Sequence, residues 1–172
     1  KMKLMILFIG IFLYLSGLQP VDASKDESFE KAYYNLGYKT VNEAVKETEA
    51  YYKNTLKLPK KLPPLDFTHS FGRFSSKNET LEIIYLNEKD NYIINIIPAK
   101  NGKSLYSDID NKISLKDGTL AYYSTLGKDD KKIITYRFIK NDWMYILNMQ
   151  ESLLDDPVLT FTEISNSIEN EK

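Results

Sequence analysis

Residues 81–97 read LEIIYLNEKDNYIINII, and residues 134–147 read ITYRFIKNDWMYIL. In the first stretch Leu81, Ile83 and Tyr85 alternate with Glu82. A polar break follows from Asn87 to Asn91, and Tyr92 to Ile97 is then apolar apart from Asn95. In the second, Ile134, Tyr136 and Phe138 alternate with Thr135 and Arg137. Lys140, Asn141 and Asp142 make the break, and Trp143, Tyr145 and Leu147 resume the alternation. A period of two in β-branched and aromatic residues, interrupted by a few polar ones, is the pattern of paired strands. Strands joined by so few residues must be antiparallel, because parallel neighbours need a crossover of about a dozen residues or more.

Working outward, Leu120 and Tyr122 alternate with Ala121 and Tyr123, and a further strand is expected at 67–74. Polar turns are expected at Lys100–Lys103, Asp117-Gly118 and Gly127–Asp130. Upstream the period becomes helical. Thr40-Val-Asn-Glu43 has the form of a capping box, and Val41, Ala44, Val45, Thr48, Tyr52 and Leu56 form one apolar stripe behind it. This predicts a helix over about 41–56, ended before Pro59. The segment KLPKKLPPLDF, residues 57–67, holds three prolines and is expected to be extended. Phe29, Ala32, Tyr33 and Leu36 place a short helix or arm within 24–39, stopping at Gly37. At the other end Thr160-Phe-Thr-Glu163 reads as a second capping box, with Leu159 and Ile164 as a hydrophobic staple. The fold class predicted is α+β: a curved antiparallel β-meander of five to seven strands, with an N-terminal helix and a short C-terminal helix. Residues 40–172 form its single domain.

The first 23 residues carry a different signal. Lys1 and Lys3 precede an unbroken apolar run from Leu4 to Leu15, and Val21-Asp22-Ala23 puts small residues where a signal peptidase requires them. Twelve helical residues at ~1.5 Å each span ~18 Å, short of a ~30 Å bilayer core. The expectation is a signal peptide over 1–23, cut between Ala23 and Ser24, with a retained anchor as the other outcome. Localisation is thus secreted or extracytoplasmic, in the cell envelope, and any membrane attachment runs through an uncleaved signal segment.

Composition excludes more than it assigns. The formal charge of −1, from 23 Lys+Arg and 24 Asp+Glu, offers no global basic field for nucleic acid. The absence of cysteine removes disulfides, zinc ribbons and thiol chemistry, and a single His, His69, cannot form a two-His metal site. Ser70 follows His69, but adjacent strand residues point to opposite faces, so the two do not make a nucleophile and base. Asp108, Asp110, Asn111 and Asp117-Gly118 look like fragments of a calcium loop. Counted from Asp108, however, the required Gly and Glu positions hold Ile113 and Thr119. Asp129-Asp130 and Asp155-Asp156 are read as solvated turn residues, and Lys57, Lys60 and Lys61 as a small basic cluster beside the prolines. No catalytic residue, cofactor or metal ligand is assigned. Aromatics make up 13% of the chain, with 13 Tyr. They suit a half-buried sheet or a binding surface, because Tyr and Trp join apolar bulk to a polar tip. Tyr122, Tyr136, Trp143 and Tyr145 are the candidates for a ligand or partner surface.

The order of several short motifs resembles one family. TVNEAVKE, LKLPKKLP, ETLEIIYLN leading into NYIINIIP, DGTLAYYS, RFIKNDWMYIL and TEISNSI follow one another over about 40–169. This is similar to the domain-of-unknown-function family 4367, found in exported and membrane-anchored envelope proteins of spore-forming Gram-positive bacteria. Heavy Lys, Asn and Ile usage agrees with such a source. The resemblance implies an entry helix, a Leu-Pro linker, a sheet with a Trp-centred hairpin and a closing helix. It carries no catalytic residues. The functional expectation is an exported, non-enzymatic binding or interaction module of the envelope, linked to sporulation or stress sensing. Its partner would be a protein or other envelope component. The alternative is a carrier of a lipid or other apolar ligand in the concave face of the sheet.

Overall fold

The computed structural model describes residues 23–102 and 111–169. The chain forms α1 (Ala23–Asn35), α2 (Val41–Tyr52), β1 (His69–Ser75), β2 (Thr80–Leu86), β3 (Asn91–Pro98) and the single turn α3 (Ala99–Gly102). β4 (Asn111–Ser114), β5 (Leu120–Leu126), β6 (Ile133–Lys140), β7 (Trp143–Gln150) and α4 (Pro157–Asn166) follow. All strand pairs are antiparallel, in the order β1-β2-β3-β7-β6-β5-β4. The class is α+β, a curved antiparallel sheet with helices at both ends. Two runs of hairpins meet where β3 pairs with β7, and β1 and β4 are the edges.

The local chemistry explains the element ends. Thr40 caps α2 as a full capping box. The Glu43 N–H donates to Thr40 Oγ1 at 3.3 Å and the Thr40 N–H donates to the Glu43 carboxylate at 3.1 Å. The helix stops at Tyr52, four residues before the expected end, because Lys53 adopts the left-handed conformation at φ 52°. Leu56 is still buried, but as part of the linker, where its N–H donates to Glu49. α4 starts four residues before the expected position. Asp156 is its N-cap, accepting from the Leu159 N–H at 2.9 Å, and Pro157 fills the first turn. The expected capping box at Thr160–Glu163 is therefore corrected, since Thr160 lies inside the helix and its N–H bonds to Asp156 O. β4 arises in a stretch where the sequence pattern marks no strand. Four residues are too few for a two-residue period to stand out, and its pairing with β5 supplies the order.

Neighbouring β1 residues divide the layers. Gly72 lies against Ala44 of α2, so closely that a Cβ on Gly72 would meet the Ala44 Cβ at 2.6 Å. Phe71 points the other way and stacks on Tyr33 of α1 at 4.6 Å. α2 and α1 thus sit on opposite faces of the same edge. The Lys39 backbone bridges to Gly72 through two bonds of 2.9 Å and covers part of the β1 edge. The main core lies on the α2 face. There Ile83, Ile94, Leu147, Tyr136 and Phe138 are buried together with Phe161 and Ile164 of α4. Phe161 lies 5.9 Å from Tyr92 and 5.8 Å from Tyr136, ring centre to ring centre.

The proline-rich segment is the third cover of this face. Trp143 Nε1 donates to Thr55 O at 2.7 Å, and the Tyr145 hydroxyl donates to Lys57 O at 2.8 Å. The backbone N–H groups of Lys60 and Lys61 both donate to Ser167 Oγ at 3.0 Å. Proline removes donors from this stretch. Of its remaining backbone groups, those of Thr55, Lys57, Lys60 and Lys61 are met by side chains of the sheet and of the chain just after α4, while Leu65 and Phe67 donate to carbonyls of the segment itself. What the sequence marks as a linker is laid down as a strap between α2 and α4.

Candidate functional site

Alongside α4 the strap and the β4–β5 turn leave an open groove. One recess, of about 410 Å³, is bounded by Lys61, Leu115, Lys116, Leu159, Glu163 and Asn166. A second, of about 210 Å³, lies against Leu62, Pro64 and Thr160 and shares Lys61, Leu159 and Glu163 with the first. Because they share those walls, the two recesses adjoin along the exposed side of the helix. Leu159, Glu163 and Asn166 are spaced by four and three, so they present one stripe of α4 to the groove. Leu159 is 55% exposed and Leu62 40% exposed. These are apolar side chains on opposite walls that no part of the described chain covers.

The groove is firmly built. Ser167 Oγ holds the strap, as above, and itself donates to Ile164 O at 2.6 Å. Asn166 Oδ1 accepts the Lys116 N–H at 2.9 Å and ties the β4–β5 turn to the helix. Lys61 Nζ lies 3.1 Å from Glu163 across the first recess, and Lys60 pairs with Glu169 just beyond the helix. The Lys60 ammonium, with Lys57 nearby, holds the Glu169 carboxyl below the usual carboxylate range. Lys116 has no ion-pair partner among the described residues. Of the basic cluster Lys57, Lys60 and Lys61, Lys61 lines both recesses, a placement that sequence spacing does not reveal.

The four aromatic candidates fare differently. Tyr136, Trp143 and Tyr145 are 0%, 1% and 0% exposed. The polar tips of Trp143 and Tyr145 are spent on the strap, and the Tyr136 hydroxyl meets Thr162 Oγ1 of α4 at 2.9 Å. They are core residues and form no ligand or partner surface, because the amphipathic tips that suggested binding are satisfied inside the molecule. Burial also raises the Tyr136 hydroxyl above its ordinary pKa. Tyr122 alone lies on the opposite face of the sheet, half-buried and opposite Arg137 in the register.

The remaining candidates are placed as follows. His69 packs between Phe29 and Phe71 at 5.0 and 6.2 Å, and its Nδ1 is 2.8 Å from Thr68 Oγ1. Ser70 is exposed on the other face. Asp117 pairs with Lys140 at 2.9 Å and accepts the Thr119 N–H. Burial pushes its carboxyl up, but the bonds from Lys140 and Thr119 outweigh that and hold it at about 2. Asp108 and Asp110 lie outside the described residues. Among those described, no three His, Cys, Asp or Glu side chains are grouped as metal ligands. Asp129 sits in a 3-10 turn at positive φ, and Asp156 is the α4 cap. Ala23 and Ser24 open α1, while the apolar run Leu4–Leu15 is outside the described residues. No described helix is long and apolar enough to cross a membrane.

Comparison of the chain with models of protein families, with curated proteins and with solved structures finds no match in any of the three.

Proposed function

We propose that the protein is an exported envelope protein without enzymatic activity, that it works as an interaction module, and that the α4 groove is its contact surface. The observation carrying this reading is the pair of exposed leucines, Leu159 and Leu62, beside two adjoining recesses whose walls are hydrogen-bonded to the helix and its C-terminal extension. A rigid groove loses little freedom on binding, so its contact area is converted into affinity more fully than that of a mobile loop. Export is supported by the Lys1–Ala23 pattern, and kinship with family 4367 by the order of the motifs over 40–169. The carrier reading is the weaker one, since the aromatics of the α2 face are packed under α2, α4 and the strap.

Photo-crosslinking tests this. A photoreactive amino acid at position 159 should give adducts in the producing cells. The same group at position 126, whose Leu is 68% exposed at the far end of β5, should give none. Equal labelling from both positions, or none from 159, would overturn the assignment of the groove.

A further inference from the structure

We infer that the α4 groove takes an extended acidic segment of a partner protein, seating one apolar side chain between Leu62 and Leu159 and a carboxylate on Lys116. The inference rests on the reading of the groove as a contact surface and adds the chemistry of what fills it.

The charges lining and flanking the groove are unbalanced. Lys57, Lys60, Lys61 and Lys116 stand on its strap and turn sides against Glu163 and Glu169. Both carboxylates are engaged, Glu163 by Lys61 and Glu169 by Lys60. Among the described residues the ammoniums of Lys57 and Lys116 have no ion-pair partner, and Lys116 is the one of the two that lines the groove, in a protein whose formal charge is −1. A local excess of positive charge on a nearly neutral chain selects for negative ligands by complementarity and steers their approach.

Charge alone would admit any polyanion. The apolar walls narrow the choice. Leu159 and Leu62 are exposed on both sides of the groove, and a phosphate polymer has nothing to bury against them. A polypeptide has apolar and carboxylate side chains at regular intervals along one strand. It also has backbone carbonyls, for which the groove has donors. Asn166 spends its oxygen on the Lys116 N–H, which sets the orientation of the amide and leaves its NH₂ without a partner among the described residues. The Ser114 and Thr160 hydroxyls also line the groove. The two recesses, of about 410 and 210 Å³, lie one after the other along the helix, which suits side chains spaced along an extended segment.

The test uses the full chain and three probes. They are a fluorescent peptide of Gly-Leu-Asp repeats, the same peptide with Asn for Asp, and inorganic polyphosphate, all measured by anisotropy at low and at moderate salt. The Asp peptide should bind and the Asn peptide about tenfold more weakly. Lys116→Glu should weaken the Asp peptide about tenfold and leave the Asn peptide unchanged. Leu159→Asp should abolish both. Lys128→Glu, a charge reversal in the distant β5–β6 turn, should change nothing. Added salt should weaken only the Asp peptide. Because positions 116, 128 and 159 are exposed, Trp143 fluorescence should report a native fold in every variant. Equal binding of the two peptides would sink the acidic specificity and leave the groove standing. Binding of neither peptide to a protein that still crosslinks from position 159 would also sink it. Tight binding of polyphosphate that Lys116→Glu abolishes, with no peptide binding, would replace the peptide by a polyanion.

Discussion

Trp143 shows how this chain uses a residue with apolar bulk and one polar tip. It begins β7, is 1% exposed, and packs edge-on to Tyr52 at 5.3 Å while its indole N–H holds the strap at Thr55. Truncation removes the packing and the bond that ties the sheet to the strap. Trp143→Ala should therefore cost about 3–5 kcal/mol. That is a large share of a stability of about 5–15 kcal/mol, and denaturant midpoints will show it. An unmoved midpoint would put the indole at the surface. Asp117 and Lys140 make a second residue-scale test. Lys140 is 7% exposed at its side chain and Asp117 23%, so the ammonium is the more deeply buried partner. The folded carboxyl titrates at about 2, below its ordinary value. The stabilisation is thus present above about pH 4 and is lost as pH falls through about 2. Asp117→Asn should destabilise by about 1–3 kcal/mol at neutral pH, with the gap to the native protein closing as pH falls through about 2. A gap that is constant over that range would show that the pair contributes no titratable stability.

At the scale of elements, the two capping patterns differ instructively. Thr40-Val-Asn-Glu43 forms the box it spells, whereas Thr160-Phe-Thr-Glu163 does not. The signal for the true start of α4 was present four residues earlier, as Asp156-Pro157. Proline suits the first helical turn and Asp the position before it, and that pair outranks a Thr four residues on. Asp156→Ala should cost about 1 kcal/mol and Thr160→Ala no more than about 0.5 kcal/mol, both read by thermal melts. The reverse order would restore the later start. β4 was not legible, because the energy that orders Asn111–Ser114 comes from its ladder to β5 rather than from its own side chains. The strap was legible as extended, since three prolines forbid anything else. Its course over the sheet was not, because that depends on Trp143, Tyr145 and Ser167.

For the whole molecule, export has a direct readout. If the Lys1–Ala23 segment is removed as its pattern indicates, N-terminal sequencing of protein from the culture medium should begin at Ser24. Recovery of the full-length chain from membranes would support a retained anchor instead. The class of the fold followed from local chemistry. Period-two alternation, short polar turns and a capping box each involve residues a few positions apart, so one dimension suffices to read antiparallel strands between terminal helices. Closure decided the rest. β3 pairs with β7 instead of β4, which joins two hairpin runs into one sheet. Trp143 and Tyr145 each reach 88 positions back along the chain to the strap, and Lys60 reaches 107 forward to Ser167. A sequence window cannot weigh such contacts, because their free energy exists only once the intervening chain has folded and met the entropy of closing the loop. For that reason aromatics that looked suited to binding became core, while the groove was assembled from Lys61, Lys116 and Leu159, residues whose places along the chain do not show that they meet.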